Sequence, residues 1–61
     1  MALRNFFNTE GVSPSRFAEE LGVSVSTIYR WMRGESTPGR EIARKIVIKT
    51  KGLVTMLDLR G

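Results

Sequence analysis

Apolar residues recur three and four positions apart along most of the chain, which is the spacing of one face of a helix. The pattern predicts four helices, over about residues 2–9, 14–21, 25–33 and 38–50. The residues predicted to face the core are Leu3, Phe6, Phe7, Phe17, Ala18, Leu21, Ile28, Trp31, Met32, Ile42, Ala43, Ile46 and Val47. The pattern therefore favours an all-α fold built from short helices.

Signals for the starts and ends of helices divide the chain at the same places. Ser13-Pro14 and Thr37-Pro38 each combine a capping side chain with a proline suited to the first helical position, and Ser24 is the predicted cap of the third helix. Gly22 is expected to end the second helix with a positive φ. Because so few residues separate Gly22 from the third helix, these two helices must cross at a steep angle, with Val23 filling the gap.

Two structures fit the last third of the sequence. After a fourth helix over 38–50, a short last helix is expected, because Thr55 and Asp58 have the spacing of a capping box and Leu57 and Leu59 could anchor it. A β-hairpin from about residue 45 to 58 also fits, since β-branched residues flank a glycine turn. The preferred prediction is a compact all-α domain of four to five helices, and the alternative is an α+β fold with the C-terminal hairpin.

Length and composition limit the classes of function. A chain of 61 residues is expected to form a single domain over residues 1–61, with a core too small to support a preorganised catalytic cleft as well. It has no cysteine and no histidine, which removes the usual ligands of a zinc site and the commonest general base. We therefore expect no enzyme activity, cofactor, metal or small-molecule ligand. No apolar run is long enough to span a membrane.

The formal net charge is +4, from ten basic and six acidic side chains. A basic surface attracts polyanions, so nucleic acid becomes the first class of partner to consider. Net charge alone does not select it, because the positions of the charges decide what they can bind.

The segment over residues 17–31 resembles the helix-turn-helix of the lambda-repressor-like (XRE/Cro) family, and the matching positions are Ala18, Gly22, Ile28 and Trp31. The small Ala18 would let the second and third helices approach closely, and Gly22 would make the turn. Ile28 and Trp31 would hold the third helix on the core. The resemblance implies a lambda-repressor-like domain, or a Cro-like one if the last third is a hairpin.

In that family the third helix enters the major groove of DNA, so the resemblance implies that helix 25–33 reads bases. The implied base contacts are Val25, Ser26 and Arg30, since arginine can bind guanine O6 and N7 together and valine can pack on a thymine methyl. The positions implied for backbone or flanking contacts are Ser13, Ser15, Arg16, Thr27, Tyr29, Arg33, Ser36 and Arg40. Many relatives carry glutamine where this chain has Pro14, and Ser15 is expected to replace that contact.

The resemblance implies a sequence-specific regulator of transcription, expected to be a phage or bacterial repressor that acts in the cytoplasm. It would bind double-stranded DNA as a homodimer, or as a dimer that forms only on DNA. Leu53, Val54, Met56 and Leu57 are candidate dimer contacts, because a short last element has little core left to fill. Two alternatives stay open: a protein-interaction module of the same fold, such as an antitoxin or anti-repressor, and a DNA-bending factor of the excisionase type.

Overall fold

The computed structural model describes residues 1–60 of the chain and contains four α-helices. They are α1 (Leu3–Glu10), α2 (Pro14–Leu21), α3 (Val25–Met32) and α4 (Arg40–Lys49). Residues 1–60 contain no strand, so the preferred all-α prediction is confirmed and the alternative, a hairpin over residues 45–58, is wrong. The hairpin would have placed Ile46 and Ile48 on one face, whereas in the helix Ile46 is fully buried and Ile48 is 75% exposed.

One hydrophobic core joins all four helices. Its buried members are Leu3, Phe6, Phe7, Phe17, Ala18, Leu21, Ile28, Ala43, Ile46, Val54 and Leu59. The rings of Phe6, Phe7 and Phe17 meet edge to face or tilted, with centroids 5.2–5.9 Å apart, a favourable arrangement for aromatic quadrupoles. The other predicted core residues, Trp31, Met32, Ile42 and Val47, pack against this cluster but stay partly exposed, so they form its edge.

The turn between α2 and α3 is closed by backbone hydrogen bonds. The amide of Gly22 donates to the carbonyl of Glu19 (3.2 Å), and the amide of Val23 donates to that of Ala18 (3.0 Å). This is a Schellman motif, which requires a left-handed residue, and Gly22 has a φ of 77°. The chain therefore reverses within a few residues, and Ala18, only 2% exposed, lies in the core with Ile28 of α3.

The predicted start of α4 at Thr37-Pro38 is wrong. Residues 36–39 are not helical, and α4 begins at Arg40 with Gly39, whose backbone is extended, as its N-cap. Glycine is a poor residue for the first turn because it loses the most backbone freedom there, which explains why the helix begins after it. After the end of α4, Lys51 and Gly52 both have left-handed backbones, with φ of 55° and 81°.

The buried hydroxyl of Thr50 connects the end of α4 to the C-terminal segment. Its Oγ donates toward the carbonyl of Val47 (3.2 Å) and accepts from the amide of Val54 (3.2 Å). Thr50 is 2% exposed and Val54 is fully buried, so these groups satisfy each other away from water. Val54 is thereby part of the core, and its prediction as a dimer contact is wrong.

The predicted last helix is present only as one turn. Thr55 and Asp58 form the expected capping box, with the amide of Thr55 donating to the Asp58 carboxylate (2.9 Å) and the amide of Asp58 donating to the Thr55 hydroxyl (3.3 Å). The bond from the Thr55 amide is the main reason why the pKa of Asp58 falls to about 2. Leu59 is buried as predicted, but Leu57 is 74% exposed and anchors nothing, because a single turn can bring only one of its two leucines to the core.

Replacing Thr50 with valine should lower the free energy of unfolding by about 1–3 kcal/mol, because the shape is kept while the buried amide of Val54 loses its acceptor. Thr9→Val is the matched control, since Thr9 is exposed on α1. Urea denaturation of both variants measures the difference. Equal stabilities would contradict the role of this hydroxyl.

Candidate nucleic-acid interface

The outward side of α3 carries the residues predicted to read bases. Ile28 is fully buried and fixes the rotation of the helix, which leaves Ser26, Tyr29 and Arg30 exposed. Val25 is half-buried and packs at the edge of the core. The guanidinium of Arg30 has no ion pair within residues 1–60, so it is available to an external acceptor.

The N-terminus of α3 is capped as predicted. Oγ of Ser24 accepts a hydrogen bond from the amide of Thr27 (3.3 Å), and the two hydroxyl oxygens lie 2.9 Å apart. This contact orients the hydroxyl of Thr27, a residue that is half-buried. Ser24 and Thr27 thus hold the first turn of α3 in place, directly beside Val25 and Ser26.

The C-terminus of α3 is fixed by a second Schellman motif. Gly34 has a φ of 76°, its amide donates to the carbonyl of Trp31 (3.1 Å), and the amide of Glu35 donates to that of Arg30 (2.9 Å). The helix ends at Met32, and Arg33, predicted as its last residue, is the C-cap. Nε of Arg33 donates to the Glu35 carboxylate at 2.6 Å.

The N-terminus of α2 presents Ser13, Ser15 and Arg16 to solvent. Ser13 occupies the predicted cap position, but its side chain accepts no hydrogen bond from the helix. Pro14 has no amide proton, so the free amides of the first turn are those of Ser15 and Arg16. Free amides and the positive end of the helix dipole favour an anion at this position.

Carboxylates partly neutralise the positive charge on this side of α2. Ser13, Ser15 and Arg16 line a shallow depression together with Glu19 and Glu20. Glu20 pairs with Lys49 of α4 at 2.5 Å and with Arg16 at 3.5 Å, and these contacts, mainly the one with Lys49, lower the pKa of Glu20. Arg16 is therefore partly neutralised, whereas Arg30 is not.

The remaining predicted flanking residues lie beyond α3. Ser36 lies in the linker between α3 and α4, and Arg40 begins α4, and both are exposed. Arg40 has no ion pair within the described residues. Along α3 and its C-cap, Ser26, Arg30 and Arg33 are spaced by four and three residues, which puts them on one stripe of the helix surface. Sequence reasoning missed Glu35, although its place just after the glycine that ends α3 could have indicated a partner for Arg33.

Residues 1–60 hold no cluster of three or more acidic, histidine or cysteine side chains able to bind a metal ion. Within the same residues, every helix is too short or too polar to cross a lipid bilayer.

A family model described as Helix-turn-helix matches residues 3–50, which is more than three quarters of the chain and includes all four helices. No curated protein and no solved structure matches the chain.

Replacing Ser24 with alanine should lower the free energy of unfolding by about 1 kcal/mol, because the amide of Thr27 loses its capping acceptor. Ser13→Ala is the matched control: Ser13 has the same place at the start of α2 but makes no capping bond, so its stability should change little. Thermal and urea denaturation measure both. A larger loss in Ser13→Ala would contradict the difference between the two caps.

Proposed function

Since the chain belongs to the lambda-repressor-like helix-turn-helix family of DNA-binding proteins, we propose that it is a sequence-specific transcription regulator that reads the major groove of double-stranded DNA with α3. Its two rivals from the sequence, the protein-interaction module and the DNA-bending factor, have no observation of their own in their favour.

One observation supports this proposal above the others. Arg30 is an exposed guanidinium with no ion pair within residues 1–60, and it lies on the outward side of a helix whose inward side is fixed by Ile28. A guanidinium so placed can bind O6 and N7 of one guanine, which discriminates against the wrong base by about 1–3 kcal/mol. Val25 would pack on a thymine methyl, and Ser26 would donate to or accept from a base edge.

The proposed contacts with phosphates and neighbouring atoms surround these three residues. They are Ser13, Ser15, Arg16, Thr27, Tyr29, Arg33, Ser36 and Arg40. Contacts of this kind orient the protein on the duplex and carry little sequence information. Of the three arginines among them, Arg40 has no ion pair within residues 1–60 and is therefore the most available to a phosphate.

We propose that the protein represses transcription by occupying its operator, as a phage or bacterial regulator in the cytoplasm, where such DNA lies. One module reads few base pairs, so two copies on half-sites about 34 Å apart would supply the needed specificity. The dimer surface would be the last turn, where Leu53, Met56 and Leu57 are exposed. Met1 adds a fourth exposed apolar side chain, since its amino group bonds to the Leu53 carbonyl.

Selection of binding sites from a random pool of duplexes, at near-physiological salt, tests the proposed function. We expect a two-fold-symmetric site to be enriched. On that site, Arg30→Ala should weaken binding by roughly 1–3 kcal/mol, with a much smaller loss on unselected duplexes. The matched control is Arg44→Ala, which removes an equal charge from the exposed surface of α4.

Two outcomes would contradict this proposal. If no sequence is enriched above background, the protein-interaction module becomes the better hypothesis. If Arg30→Ala loses as much affinity on unselected duplexes as on the selected site, Arg30 contacts the backbone and does not read a base.

The dimer surface predicts a difference between two equally exposed side chains. Leu57→Glu should abolish cooperative occupation of the paired site, because a carboxylate would be desolvated at the contact. Ile48→Glu on α4 is the control and should keep cooperativity, since Ile48 is 75% exposed but lies beside Glu20 and Leu21 of α2. Sedimentation of protein–duplex complexes reports the stoichiometry. Equal cooperativity in both variants would exclude this surface.

A further inference from the structure

Glu35 lies just beyond the end of α3 and has no role in the function proposed above. Its backbone is held by the Schellman motif, because its amide donates to the carbonyl of Arg30 at 2.9 Å and the left-handed Gly34 precedes it. The side chain of Glu35 therefore starts from a point that is fixed relative to α3.

The contact between Glu35 and Arg33 uses only one edge of the guanidinium. Nε of Arg33 donates to the carboxylate at 2.6 Å, and the terminal amino groups make no hydrogen bond within residues 1–60. A guanidinium has five N–H donors in a rigid plane, so four remain for another acceptor. The side chain of Arg33 is 54% exposed, so an acceptor can reach these free donors from solvent.

The free edge of Arg33 belongs to the surface that carries Arg30. Arg33, the C-cap of α3, still has a right-handed helical backbone and follows Arg30 by three residues and Ser26 by seven, so helical spacing puts the three on one stripe. An acceptor that meets Arg33 while α3 lies in the major groove would be a phosphate flanking the bases read by Arg30.

We propose that Glu35 is a positioning residue, which holds Arg33 by its Nε so that the free terminal amino groups bind a DNA phosphate. This inference rests on the proposed function. A free arginine side chain loses rotamer freedom when it binds, and one already held loses less. The negative charge of Glu35 acts in the opposite direction by repelling the phosphate, so the test must separate orientation from charge.

Glu35→Gln and Glu35→Ala make that separation, because both remove the charge and only glutamine keeps an acceptor for Nε. The selected duplex should bind Glu35→Gln about threefold more tightly than Glu35→Ala, the size expected of an exposed pair. In an Arg33→Gln background the ratio should fall to about one, since the orientation acts through Arg33. Arg33→Gln alone should reduce the slope of log affinity against log salt by about 0.9.

Three results would overturn the proposal. Equal affinities of the two Glu35 variants would show that orientation contributes nothing. Tighter binding by Glu35→Ala would show that the residue at position 35 competes with DNA for Arg33. A ratio that persists in the Arg33→Gln background would show that Glu35 acts elsewhere.

A measurement without DNA keeps this proposal distinguishable from the proposed function. The Nε proton of Arg33 should exchange slowly with water, as followed by nuclear magnetic resonance, in the wild type and in Glu35→Gln, and rapidly in Glu35→Ala. Rapid exchange in the wild type would show that Glu35 does not hold Arg33, independently of any result with DNA. If the wild type holds Arg33 but binds no duplex at any salt concentration, the proposed function fails and the phosphate role fails with it.

Discussion

The packing of α2 against α3 is the contact on which the rest of the structure depends. Ala18 leaves room for the close approach, and Ile28 and Phe17 lie in the same buried cluster. A larger residue at position 18 would overpack a core that has few other contacts to compensate. Because α3 is rotated so that Ile28 points inward, the opposite side of α3 is necessarily the one that faces solvent.

Hydrogen bonds at the helix ends turn this packing into a defined geometry. Helices of eight residues, such as α2 and α3, have marginal stability on their own, so what holds their ends matters more than their intrinsic propensity. Schellman motifs end both helices, and the hydroxyl of Ser24 caps the N-terminus of α3. The helix α3 is thus fixed at both ends as well as along its buried side.

The sequence predicted most of the fold, because apolar spacing and the cap and stop signals agree over α1, α2 and α3. It was less accurate from Thr37 onward. There the cap-and-proline signal was overridden by Gly39, and the alternation around Ile46 and Ile48 was compatible with a strand. Tertiary packing favours the helix, because Ile46, Thr50 and Val54 are all buried against the core. A local sequence pattern does not reveal this burial.

The candidate site shows the same division between local and tertiary information. The exposure of Arg30 and Ser26 follows from helical spacing once Ile28 is known to be buried. The pairing of Arg33 with Glu35 depends on the left-handed turn at Gly34, and the pairing of Glu20 with Lys49 depends on how α4 lies against α2. Side-chain partners of this kind are set by the fold, so residue type alone indicated only that these charges were present.

The separation of the two sides of α3 has a consequence for how such a protein can change over generations. Side chains on its outward stripe contribute little to the core, so most substitutions there leave stability nearly unchanged. A lineage can therefore acquire a new binding preference without first gaining spare stability, an unusual freedom for a domain with so small a core. Ile28 is fully buried, so substitutions there would destabilise the core, and we expect this position to tolerate almost no variation.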